Sequence, residues 1–162
     1  MKKIVPHLWY DKEAKEAALF YISLFEQSKL DYAKIIKNPP PLGDAEIVGF
    51  ELAGQQFVAI SAGPYFKQNP TISLMVTCFT SEEVDKLWEA LSESGTELMA
   101  LGEYPFSKRY AWVQGRYGLS WQLMLVDGGQ VVQKITPYLL FSGGACGKAE
   151  EAIKYYAEVF EN

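Results

Sequence analysis

Apolar and polar positions along this chain switch between two periods, and the switch recurs. A short apolar run, Ile4-Val5-Pro6-His7-Leu8-Trp9-Tyr10, gives way to Ala14, Ala17, Ala18, Tyr21, Leu24 and Phe25, spaced as one face of a helix over about 12–27. The same succession returns at Ile135-Thr136-Pro137-Tyr138-Leu139-Leu140-Phe141, followed by the stripe Ala149, Ala152, Ile153, Tyr156, Val159 and Phe160. A weaker echo lies between them, where Ile72 to Phe79 runs into a helical pattern of Val84, Leu87, Trp88 and Leu91. Repetition of this kind marks a structural module used more than once.

The segments between the repeats read as strands. Residues 29–37 read as a strand, with Leu30, Tyr32 and Ile35 as candidates for burial. Two further strands, about 46–53 and 55–62, meet at Ala53-Gly54-Gln55 as a hairpin. The stretch from Asn38 to Asp44 carries three prolines, which fix φ and remove donors, so an exposed loop is expected there. A second helix is predicted over about 81–94, with Ser81 as N-cap, Glu82 and Glu83 favoured by the helix dipole, and Gly95 as its end. Strands at about 97–102, 110–115 and 119–127 follow, the last two joined by Arg116-Tyr117-Gly118. The order is β-α-β-β-β over 3–62 and again over 72–127, an α+β chain of two tandem modules. Asp127-Gly128-Gly129 marks a boundary, giving a domain over 1–128 and an extra strand–helix unit over 129–162.

Charge and cysteine content narrow the partners. A net charge of −5 argues against nucleic-acid binding, which needs clustered Lys and Arg against phosphates. No apolar run approaches the length of a membrane span, and Met1-Lys2-Lys3 is not followed by a signal-peptide core, since Asp11-Lys12-Glu13 closes the run. Of the two cysteines, Cys78 falls in an apolar strand, where a buried free thiol is expected; cytoplasmic residence follows as an expectation.

Several motifs share one likeness. They are Pro6-His7-Leu8-Trp9-Tyr10, Phe20-Tyr21-Ile22-Ser23-Leu24-Phe25 with Ser28-Lys29, Ala53-Gly54-Gln55-Gln56-Phe57-Val58-Ala59-Ile60, Gly63-Pro64, Ile72-Ser73-Leu74, Glu83-Val84-Asp85, Trp112-Val113-Gln114 and Tyr117-Gly118-Leu119-Ser120-Trp121-Gln122-Leu123. In this order and spacing, over roughly residues 4 to 125, the chain resembles the PhnB-type branch of the vicinal oxygen chelate superfamily. The resemblance implies the glyoxalase/bleomycin-resistance/dioxygenase fold: two βαβββ modules forming a curled mixed sheet around a cavity, often closed by a homodimer. It does not imply one reaction, because fold and function separate readily.

Metal-dependent relatives take ligands from the first strand and a late strand of each module. The matching positions here are Pro6 or His7, Ser73, Ala59 or Ile60, and Gln122. Only His7, the single histidine, and the neutral amide of Gln122 could serve, so no metal centre is expected and no cofactor is called for. His7 and Glu51, a carboxylate mid-strand between Phe50 and Leu52, are the weak catalytic candidates. Alternation places Ser120, Gln122 and Met124 on one strand face, Ser73, Met75 and Thr77 on another, and Trp112 with Gln114 on a third. These faces either line an apolar, polar-spotted pocket for a small hydrophobic or aromatic molecule or hydrogen-bond one another in a filled core. Arg109, within Ser107-Lys108-Arg109, could clamp a carboxylate or phosphate, or lie in a solvated loop. Gly143-Gly144-Ala145-Cys146-Gly147 lacks the spacing of a dinucleotide loop.

The strand and helix after residue 129 cannot bury their apolar stripe alone. Either they open a further module of a longer protein, or they dock on the body or on a second chain; packing against another subunit, or a swap between subunits, is the expectation. The function that emerges is a metal-free, dimeric small-molecule-binding protein, with a metal-dependent or acid/base enzyme (lyase, isomerase or dioxygenase) as the alternative and a filled structural module as a third reading.

Overall fold

The computed structural model describes residues 4–37, 43–129 and 133–160, so most of the expected proline-rich loop, including Pro39, Pro40 and Pro41, lies outside the described residues. The first module comprises β1 (His7–Tyr10), α1 (Ala14–Leu24), β2 (Lys29–Ile36), β3 (Ala45–Leu52) and β4 (Gln55–Ser61). The second comprises β5 (Ile72–Cys78), α2 (Ser81–Ser92), β6 (Thr96–Tyr104), β7 (Ser107–Gln114) and β8 (Ser120–Leu125). The repeat is therefore one of topology as well as sequence. Each module builds its own mixed sheet, ordered β1-β4-β3-β2 in one and β5-β8-β7-β6 in the other. In both, the first strand runs parallel to the last, β1 beside β4 and β5 beside β8.

The third occurrence of the motif forms β9 (Ile135–Leu139) and α3 (Ala149–Val159). β9 extends the second sheet by pairing antiparallel with the outer edge of β5. Only its first residue, Ile135, is buried, and α3 has no buried residue at all.

Local chemistry explains the element ends, with two corrections to the sequence reading. The N-cap of α2 is Thr80 rather than Ser81: the Glu83 backbone N–H donates to Thr80 Oγ1 at 3.2 Å. The left-handed residue that ends α2 is Ser94, at φ 57°, not Gly95. Gly95 is needed for a different reason, since a Cβ there would sit 2.7 Å from the Gln114 carbonyl oxygen. A third correction concerns β2. Leu30, Tyr32 and Ile35 are exposed, because β2 is an edge strand and the whole of it stays accessible. Tyr32 instead lays its ring across Gly49 of the neighbouring strand, where a Cβ would come within 2.3 Å of the ring.

One core joins the modules. α1 presses Ala14, Ala17, Ala18 and Tyr21 onto β3 and β4, while α2 presses Val84, Leu87 and Leu91 onto β7 and β8. The C-terminal end of the same face also meets the second sheet. The Tyr21 and Phe25 rings lie 5.0 and 5.7 Å from that of Trp121, which is fully buried on β8. Above them, the Tyr117 hydroxyl donates to Glu16 Oε1 at 2.7 Å. The helix-bearing faces of both sheets thus turn toward a shared centre, and their other faces turn away from it.

That centre also holds polar atoms. The hydroxyls of Tyr10 and Tyr21, Trp121 Nε1 and Gln68 Oε1 are buried without a hydrogen-bond partner among the described residues. Burial pushes the Tyr10 hydroxyl up to about 12 and the Tyr21 hydroxyl well above its usual range.

Truncating Trp121 to Ala removes the ring that both modules share. The expected loss is about 3–5 kcal/mol, within a single cooperative transition in urea followed by both circular dichroism and fluorescence. Two separate transitions already in the unaltered chain, with the loss in the variant confined to one of them, would show that the modules are not joined through this contact.

Candidate functional site

The polar-spotted face foreseen from alternation exists on the second sheet, on the side away from α2. Register sets it out as a grid: Tyr110, Trp112 and Gln114 on β7 stand opposite Met124, Gln122 and Ser120 on β8. β8 in turn places Ser120, Gln122 and Met124 beside Ser73, Met75 and Thr77 of β5. β9 completes it by setting Tyr138 opposite Ser73 and Thr136 opposite Met75.

Hydrogen bonds link this grid. The Tyr110 hydroxyl donates to Gln122 Oε1 at 2.6 Å, and Gln122 Nε2 donates to the Ser73 hydroxyl at 2.6 Å. Beside them, Trp112 Nε1 donates to the Ser120 hydroxyl at 2.7 Å. At the end of the strand, Gln114 Nε2 donates to the Gly118 carbonyl at 2.9 Å. Ser73, Ser120, Met75 and Tyr110 form a buried floor, whereas Trp112, Gln114, Gln122 and Met124 are half-buried and face outward. Burial pushes the Tyr110 hydroxyl up to about 12, so it remains a donor and fixes the orientation of the Gln122 amide. Phe106, Tyr104 and Tyr110 form an aromatic cluster at the β6–β7 end of the face, with ring separations of 5.0 to 5.6 Å.

The other sequence-selected residues lie elsewhere. Arg109 points to the helix side of the sheet, where its Nε donates to Asp85 Oδ1 at 2.7 Å, so an anion of the protein's own already holds it. Glu51 is half-buried on β3 and faces Lys29 at 3.6 Å. His7 opens β1 and is exposed, on the outward face of the first sheet. The structure therefore brings together Ser73, Met75, Trp112, Gln114, Ser120 and Gln122, and leaves His7, Glu51 and Arg109 apart from them.

Two members of the face were not singled out by sequence. Tyr110 lies two residues before Trp112, and the same alternation would have reached it. Tyr138 joins only because β9 pairs with β5, a non-local contact with no local signal.

Concavities lie around the face rather than over it. A groove of about 660 Å³ runs between the end of α1 and the start of α2, lined by Phe25, Glu82, Glu83, Lys86 and Lys134, with Lys134 paired to Glu83. Another, of about 590 Å³, lies between Trp9, Phe66, Gln114 and Tyr117.

The sequence profile of the family described as 3-demethylubiquinone-9 3-methyltransferase matches residues 2–124. No protein of curated function matches the chain. Among solved structures, the chain is similar to a PhnB protein from Bacillus cereus at 40% identity, covering 77% of this chain and 100% of that one, with a TM-score of 0.71. A protein from Pseudomonas aeruginosa is 20% identical, over 77% and 98% of the two chains, with a TM-score of 0.67. The fosfomycin resistance protein FosX from Listeria monocytogenes is 12% identical, over 78% and 94%, with a TM-score of 0.56. At the last two identities the likeness shows the fold alone.

A FosX mutant was solved in complex with Mn(II). The residues of the present chain do not fit such a centre. The Gln122 amide is neutral and bonded at each end, to Tyr110 and Ser73, and His7, which within one chain stands on the other sheet, is the single imidazole a copy of this chain supplies. Among the described residues no three His, Cys, Asp or Glu side chains gather at one point.

Raised tyrosine and thiol values carry a pH consequence. A group whose folded pKa exceeds its unfolded one contributes stability that is complete below the unfolded pKa and lost as pH rises through the folded one. Tyr10 and Tyr110, both raised from 10.0 to about 12, and Cys78, raised from 9.0 to about 12, act together. The protein should be insensitive up to about pH 9 and unfold between there and pH 12. Absorbance titration should then show exposed tyrosines ionising first and the buried class only on unfolding; ionisation of all ten as one class near pH 10 would contradict this.

Proposed function

Because the chain belongs to the family described as 3-demethylubiquinone-9 3-methyltransferase, the PhnB-like branch of the glyoxalase-fold proteins, we propose that it is a small-molecule-binding protein that works as a metal-free homodimer. The ligand is a small hydrophobic or aromatic molecule held on the outward face of the second sheet. The observation that carries this reading is the bonded row Tyr110–Gln122–Ser73 with Trp112–Ser120 beside it, set among Met75, Met124 and aromatic rings. Such a surface offers apolar area for affinity and a few oriented donors and acceptors for selection. The half-buried edges of Trp112 and Gln122 are the groups available to a ligand, because the serines below them are already covered.

A binding site of this kind needs a lid, and a second copy supplies one in this proposal. The two outward faces of one chain point apart, so a first sheet from one protomer and a second sheet from its partner would enclose the ligand. No helix among the described residues is long and apolar enough to cross a membrane. A buried reduced thiol at Cys78 fits the cytoplasm, where we place the protein. The methyltransferase activity in the family description is not carried over, since no glycine-rich strand–turn–helix for such a cofactor occurs among the described residues.

Native mass spectrometry with elemental analysis of the same sample tests the reading. A metal-free dimer carrying an extra small mass is the expected result, and stoichiometric zinc, nickel, manganese or iron would overturn it. Gln122→Leu should reduce retention of that mass about tenfold, equivalent to one lost hydrogen bond of about 1.4 kcal/mol. The same variant leaves the buried Tyr110 and Ser73 hydroxyls without this partner, so it should also lose about 1–3 kcal/mol of stability, and retention is compared well below its thermal transition.

A further inference from the structure

The outer edge of β1 carries the bonding pattern with which β9 holds β5. Val58 N–H donates to the Pro6 carbonyl at 3.0 Å and Ala62 N–H to the Tyr10 carbonyl at 3.1 Å. The backbone groups of Pro6, Leu8 and Tyr10 therefore face β4, and those of Val5, His7 and Trp9 face outward. No strand among the described residues pairs with that side. One side chain reaches it, Gln68 Nε2 donating to the Trp9 carbonyl at 3.1 Å.

On the second sheet, Thr77 N–H donates to the Lys134 carbonyl at 3.0 Å and Leu140 N–H to the Thr71 carbonyl at 2.8 Å. With the observed register, Ser73/Tyr138 and Met75/Thr136 are the bonded pairs in between. Aligning the repeat on Pro6 and Pro137 sets Val5, His7 and Trp9 at the places of Thr136, Tyr138 and Leu140. These are the positions that bond to β5. Both prolines fall on the opposite side of their strands, where the missing N–H breaks no bond to a β5-type neighbour.

We infer that the outer edge of β5 is a seat for a β1-type strand, that β1 of a second copy fits it antiparallel with His7 opposite Ser73, and that β9 occupies the seat within the chain. Two strands of one sequence pattern thus compete for one edge. β9 has the advantage of being tethered, yet its own hold is light. Beyond Ile135 its residues are half-buried or exposed, and α3 behind it buries nothing. Further anchors are side-chain contacts at its entry, Gln133 Nε2 to Gln55 Oε1 at 2.9 Å and Lys134 to Glu83. The exchange of β9 for the second copy's β1 is then a near-balanced swap of like for like. This inference rests on the dimer proposed above and not on the ligand.

A reversible lock tests it in the full chain. Ser73→Cys with Tyr138→Cys, in a Cys146→Ser background, places two thiols on a bonded antiparallel pair, with Cα atoms about 5.5 Å apart and within disulfide range. Sedimentation should show the oxidised form dimerising at least tenfold more weakly than the reduced form. Conversely, Tyr138→Pro removes a donor to β5 and should tighten dimerisation at least tenfold. In that background His7→Cys with Ser73→Cys should form a disulfide between chains on oxidation. Equal dimerisation of locked and reduced protein overturns the inference, as does absence of the interchain disulfide in a folded Tyr138→Pro protein. The lock stands alone should the proline variant not fold. A chain that never dimerises in any form removes both this inference and the dimer, while ligand retention is scored separately by mass.

Discussion

The contact on which the rest of the architecture depends is that of α1 with Trp121. The alanines of α1, small enough to let helix and strands approach, close the first sheet, and the end of the same face sends Tyr21, with Phe25 just beyond the helix, against a tryptophan of the second sheet. A large buried aromatic surface shared by two modules makes their relative placement a matter of packing, which is intolerant of small displacements. Because this contact uses the helix-bearing side of both sheets, it forces their remaining faces outward. The outward direction of the candidate ligand face follows from where the hydrophobic core was put.

That face shows how a sheet carries polar groups without losing stability. Tyr110, Gln122 and Ser73 satisfy one another across three strands, so the groups that reach solvent are oriented rather than free. A neutral donor–acceptor row of this kind selects by geometry and hydrogen-bond sense. It offers no charge for an anion, and Arg109, the nearest strong cation in sequence, spends its charge on Asp85 behind the sheet. The two observations together give this face its character: polar-spotted, aromatic-edged and uncharged.

Edges, like faces, are constrained by repetition. A strand that recurs in sequence recurs in bonding sense, and a proline tolerated at one occurrence is tolerated at the other for the same reason. β9 resembles β1 in the side to which its bonding positions turn, a property independent of how similar the side chains are. β9 covers the outer edge of β5, and the helix that follows it buries no residue.

Much of this was present in the amino-acid sequence. Period changes, with glycine, proline and cap residues as punctuation, located the strands and α-helices of the described residues within a few positions, because burial of one face imposes period 2 or 3.6 wherever an element lies. The doubling of βαβββ was legible for the same reason, and alternation placed Ser73, Met75, Trp112, Gln114, Ser120 and Gln122 on common strand faces before any strand was paired. Alternation cannot say which strands are neighbours. It therefore did not reveal that Gln122 would sit between Tyr110 and Ser73, that Arg109 would find Asp85, or that Tyr138 would stand over Ser73. Nor could it distinguish an edge from a central strand, so Leu30, Tyr32 and Ile35 read as buried although β2 has a neighbour on one side only. Local periodicity determined the elements and their faces; strand order, and the direction in which each face looks, were decided by long-range packing around Trp121, which no stretch of neighbouring residues encodes.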